Sequence, residues 1–156
     1  MRSIALLTAG TVLVLLLALN VALTAVDRGT PAEAKAMLLK AVAHYKAVGR
    51  KQAFTDFTAK KPPFRDRDLY VVCFDQQHMV VSNGGFAEGV GTSGDAVVGL
   101  DGRGVATSAW EVTSSTGEGS VQSRWVNPLT HNVELKTTFF ARVGDDLCGV
   151  GAYAPK

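Results

Sequence analysis

Cations are scarce in the second half of this 156-residue chain. Residues 68–156 hold five Lys/Arg against ten Asp/Glu. Arg103, Arg124, Lys136 and Arg142 therefore stand out as groups that could hold an anion. A carboxylate needs cationic donors inside a closed pocket, and Arg offers a two-pronged fork. Trp125, beside Arg124, could wall the apolar side of a small ligand. On a strand, Lys136, Thr138, Phe140 and Arg142 share one face, and Leu135, Thr137, Phe139 and Ala141 the other. Alternation alone does not say which face meets a pocket. The competing reading pairs Arg124 and Lys136 with Asp or Glu on a sheet surface.

Other familiar chemistry is weakly represented. Gly89-Val90-Gly91-Thr92-Ser93-Gly94 spells G-x-G-x-x-G. It follows no strand directly and opens no good helix, so no dinucleotide cofactor is expected and a pocket rim is the better reading. His44, His78, His131 and the two cysteines show no zinc spacing, and no metal is expected. No G-x-S-x-G elbow or paired catalytic signature occurs, so no catalytic residue is assigned and an enzyme is not expected. The net charge of +2 gives no support for nucleic-acid binding.

The elements that must position these residues follow from period and punctuation. Thr30-Pro31-Ala32-Glu33 reads as a capping box with Pro at the first helical position. Leu38, Val42, Tyr45 and Val48 form one apolar stripe, and Gly49 is a stop. A shorter helix over 51–58 turns Ala53, Phe54 and Phe57 inward, and Pro62-Pro63 closes helical structure. From Leu69 the period changes to strands at 69–74 and 79–83. Residues 84–119 hold ten of the sixteen glycines and read as loop, with a short helix near 105–112. Three strands close the chain, at 119–125, 133–143 and 147–153. The order predicts an α+β fold with an antiparallel sheet.

Composition divides the chain in two. Nineteen of the first 26 residues are apolar, and Arg2 precedes them. Residues 1–26 read as a signal peptide or an uncleaved N-terminal membrane anchor. Either places the single domain, 27–156, outside the cytoplasm, periplasmic or secreted or held at the inner membrane. Residues 27–67 carry ten Lys/Arg against four Asp/Glu, which reads as a solvated helix face or as attraction to an anionic membrane surface.

The pieces Ala47–Phe57, Pro62–Asp75, Ser123–Thr130 and Val133–Tyr153, with the glycine-rich middle between them, resemble the type 2 single Cache domain family. These are extracellular sensor modules of bacterial receptors. The resemblance runs over about residues 31–153. It implies a PAS-like fold: a long N-terminal helix packed on a five-stranded antiparallel sheet of order 2-1-5-4-3. It also implies a pocket for a small organic anion, often a short carboxylate, between the sheet and the glycine-rich crossover, with no catalytic residues.

Arg124 and Lys136 match the family's basic positions, here Arg124-Trp125-Val126-Asn127-Pro128 through Lys136. Relatives often carry Tyr where this chain has Ser123 and Phe139, and His near Asn83. Asn83 and Ser123 are expected to hydrogen-bond a ligand in their place, and the usual carboxylate preference is in question. In the implied order the strands of Cys73 and Cys148 are neighbours. A disulfide and two buried thiols both remain open. No exit helix follows Tyr153, so signalling is expected to need a separate membrane receptor or kinase. The rim is expected to close over the ligand. The alternative is a non-catalytic interaction or structural module whose pocket is filled by its own side chains, Phe139 or Phe140.

Overall fold

The computed structural model describes residues 27–154; residues 1–26, expected to be a signal peptide or membrane anchor, lie outside them. Helix α1 spans Pro31–Val48. Its capping box forms: the Glu33 N–H donates to Thr30 Oγ1 at 3.2 Å, and the Thr30 N–H donates to Glu33 Oε2 at 2.8 Å. Gly49, at φ 83°, ends it, and α2 (Arg50–Thr58) follows at once. The buried stripe of α1 is Ala34, Met37, Leu38 and Ala41, with Val42 and Tyr45 partly covered. Val48, expected to face inward, is exposed, because the chain turns away into α2 there. Among the described residues no helix is long and apolar enough to cross a membrane.

The strands are β1 (Arg65–Asp66), β2 (Leu69–Phe74), β3 (Val80–Asn83), β4 (Glu118–Val126), β5 (Val133–Val143) and β6 (Asp146–Tyr153). All pairings are antiparallel, in the order β1-β2-β6-β5-β4, with β3 also paired to β2. The two-residue β1 escaped the sequence reading because it is too short to show a period. Without it, the order is the expected 2-1-5-4-3. Helix α3 (Val105–Val112) lies within the glycine-rich crossover, where a short helix was expected.

The sheet separates two layers. On one face α1 and α2 pack on Val71, Cys73, Ala141, Val143, Cys148, Val150 and Ala152. Cys73 and Cys148 sit opposite each other in register within this layer and form a disulfide. On the other face α3 packs on Phe74, Val121, Phe140 and Leu147. Strand alternation therefore sends Lys136, Thr138 and Phe140 to the crossover side and Phe139 to the helix side.

The crossover is tied down at several points. Val80 donates its N–H to Thr92 O at 2.9 Å, Gly94 to His78 O at 2.8 Å and Leu100 to Gln122 O at 2.8 Å. Asp95 joins the rim to α3, accepting from the Thr107 N–H at 2.8 Å, and bonds His78 Nδ1 at 2.8 Å.

Candidate functional site

Between the sheet and the crossover lies a pocket of about 380 Å³. Four strands, the crossover and helix α3 supply it, the strands mostly through alternate residues. From β5 come Lys136, Thr138 and Phe140, from β4 Ser123 and Trp125, and from β2 Tyr70, Val72 and Phe74. Val80 and Asn83 come from β3, Phe86, Gly89, Thr92, Ser93 and Val97 from the crossover, and Val105 from the start of α3.

Register orders these residues along the cavity. Ser123, Lys136 and Tyr153 form one row across β4, β5 and β6. Phe140, Gly149 and Val72 form another across β5, β6 and β2. The rows are four residues apart on β5, about 13 Å at the usual strand rise. The pocket thus has a polar end at Lys136 and an apolar end at Phe140, Val72 and Phe74.

Lys136 dominates the polar end. It is 3% exposed. Its Nζ lies 3.8 Å from the centroid of the Tyr70 ring and 4.9 Å from that of Tyr153. Ring faces attract an ammonium, but they do not neutralise it. Burial lowers its pKa to about 7; Asp68 acts through space to raise it and Arg65 to lower it. Asp68 makes no ion pair with it, because its oxygens are engaged elsewhere. Oδ1 accepts from the Gly29 N–H at 2.7 Å and Oδ2 from Asn127 Nδ2 at 3.0 Å. Glu134, next along, is held by Arg28, by Asn127 at 2.8 Å and by Thr130 at 2.9 Å. The Arg28 guanidinium keeps the Glu134 carboxyl down at about 2. Among the described residues the ammonium of Lys136 is left without an acidic partner.

Aromatic rings frame this end. Tyr70 and Phe86 meet edge to face at 5.9 Å between centroids, as do Phe86 and Trp125. Burial pushes the Tyr70 hydroxyl up to about 12, so it stays protonated. Asn83 Oδ1 accepts from the Gly85 and Phe86 N–H groups at 3.0 and 2.9 Å. Its oxygen thus builds the turn into the crossover, and its amide nitrogen is the group left for the pocket.

Four of the five residues expected to contact a ligand come together here: Asn83, Ser123, Trp125 and Lys136. Arg124 does not, and that expectation is corrected. Its neighbours Ser123 and Trp125 both line the cavity, so a period of two turns Arg124 to the opposite, exposed face. The other scarce cations are used at the surface. Arg103 pairs with Asp101 and Glu111, and Arg142 covers the Trp110 ring at 4.7 Å. The G-x-G-x-x-G run is the pocket rim, and Gly94 opens only a three-residue turn. Phe140 lines the pocket without filling it, and Phe139 faces the helices. Among the described residues no cluster of His, Cys, Asp and Glu could hold a metal ion.

Tyr70, Tyr153 and Phe86 were missed by sequence reading. Leu69–Phe74 is a continuous apolar run, so its two faces look alike. The signal for Tyr153 was its register with Lys136, which needs the β5–β6 turn to be placed to the residue.

Three solved structures are similar in fold. A methyl-accepting chemotaxis protein from Vibrio parahaemolyticus superposes with TM-score 0.65 at 17% identity, over 78% of this chain and 86% of that one. A periplasmic sensor domain of a chemotaxis protein gives 0.56 at 14% identity, over 77% and 87%. A Cache chemosensory domain, described for carboxylic acid recognition, gives 0.56 at 17% identity, over 77% and 85%. No protein-family model and no curated protein sequence matches the chain. The fold is that of these chemotaxis sensor and Cache domain structures.

Proposed function

We propose that this chain is an extracytoplasmic sensor or accessory domain that binds a small organic anion and signals through a separate membrane receptor or kinase. The observation that carries the reading is the buried ammonium of Lys136, without an acidic partner and facing a largely apolar cavity. A buried charge without a partner is costly, and an anionic ligand would supply the partner. Ser123, in register with Lys136, and Asn83, in register with Val72, are hydrogen-bonding groups of the lining, and Trp125 walls the cavity. The disulfide fits an oxidising compartment, and residues 1–26 fit an export segment. The open cavity beside Phe140 weighs against a self-filled interaction module.

Thermal-shift screening of the purified chain against organic acids and their uncharged amides tests this. A bound acid at a hundred times its Kd should raise Tm by on the order of 10 °C. Lys136→Met should lose that shift. The reading fails if amides stabilise as well as acids, or if Lys136→Met responds like the native protein.

A further inference from the structure

We infer that the ligand is a monoanionic acid with a long apolar body, of about ten to twelve non-hydrogen atoms, lying along β5 with its carboxylate at Lys136. The inference rests on the anion reading above and specifies its ligand class.

Length comes first. Lys136 Cε lies over Gly151, which pairs with Thr138, so from the ammonium to the Phe140–Gly149 row the pocket floor runs two residues, about 7 Å. An acid of two or three carbons would occupy only the Lys136 end of that floor. Volume agrees, since about 380 Å³ is room for roughly a dozen water-sized groups. Asn83 is the polar group in register with Val72, and the rest of the far end is Val72, Phe74, Val105 and Phe140, so waters filling it would be short of partners. Water needs two to four polar neighbours to be held well. An alkyl or aryl chain needs none.

Charge sets the number of carboxylates. Lys136 is the single cation among the lining residues, and the one acid there is Glu88. A second carboxylate would have no cationic donor and a like charge at the rim. Burying it at the apolar end would be strongly unfavourable.

Calorimetric titration of the full chain with propionate, octanoate, 3-phenylpropionate, suberate and octanamide tests the inference. Each buried methylene should tighten binding about fourfold, giving a hundredfold or more between propionate and octanoate. Suberate matches octanoate in carbon number but ends in a second carboxylate, and it should bind at least a hundredfold more weakly. Propionate binding as tightly as octanoate would overturn the long-body inference and leave the anion reading intact. Suberate binding as tightly as octanoate would overturn the single-charge claim. Octanamide matching octanoate would overturn the anion reading itself, and the absence of binding by every acid would overturn both.

Discussion

Lys136 fills the space that a side chain at Gly151 would occupy. A Cβ built at Gly151 would stand 2.0 Å from Lys136 Cε and 2.7 Å from Thr138 Oγ1. The glycine on β6 is therefore what lets the lysine lie flat across the sheet, between Tyr70 and Tyr153. Gly149, one pleat away, does the same for Phe140, whose ring would lie 2.5 Å from a Cβ there.

Gly151→Ala should move the ammonium before it unfolds the protein, because the clashing atom is near the end of a flexible chain. We expect at least a tenfold loss of acid affinity with a modest fall in Tm. Calorimetry and thermal melting together check this. Unchanged affinity would mean that the position of Lys136 on the rings is unimportant for binding.

Lys136→Met should stabilise the ligand-free protein while abolishing acid binding. Burial holds the folded amine at about 7, against 10.5 for the free side chain. Between those values the unfolded chain binds more protons than the folded one, so native stability rises with pH from 7 toward 10.5. Below pH 7 the full penalty of the buried charge applies. Methionine has similar length and no charge, and removing an unmatched buried charge should gain about 1–4 kcal/mol at neutral pH. Denaturant unfolding at pH 6 and pH 9 measures both the gain and its shrinkage. A destabilised variant would assign Lys136 a structural role. Arg124→Ala, on the exposed face, should leave stability and binding unchanged.

Acid affinity should fall as pH rises above 7. Only the protonated amine pairs with a carboxylate, and the bound anion should draw its pKa upward. Binding at pH 8 should then take up about one proton, and affinity should drop about tenfold per pH unit from pH 7.5 to 9. The groups acting on Lys136 are Asp68, which favours the proton, and Arg65, which opposes it. Titrations in buffers of different ionisation enthalpy report the proton count. Affinity constant over this range would show that the ligand does not engage the amine.

The disulfide closes a separation of 75 residues between β2 and β6. Its sulfurs belong to two fully buried residues beneath α1. Cys73→Ala with Cys148→Ala should cost about 2–5 kcal/mol while leaving the pocket, on the opposite face, able to bind. Melting curves and a titration of the double variant test both parts. Lost binding at a temperature where the variant is folded would show that the two faces are coupled.

Much of this protein can be read from local signals. The Thr30–Glu33 box, the Gly49 stop and the strands at 69–74, 133–143 and 147–153 depend on neighbours within a few residues, and such interactions are written in the sequence. The importance of Lys136 and Trp125 was likewise visible, because cations are scarce there and the segment resembles a known family. Tertiary structure alone decided which side of each strand meets the cavity. A period of two places Arg124 and Ser123 on opposite faces, but only packing against α1 or the crossover says which face is which. That choice removed Arg124 from the site and kept Lys136. It also brought in Tyr70 and Tyr153, which lie 83 residues apart with hydroxyls 3.4 Å from each other. Contacts at that separation depend on sheet order and register, which no local pattern encodes.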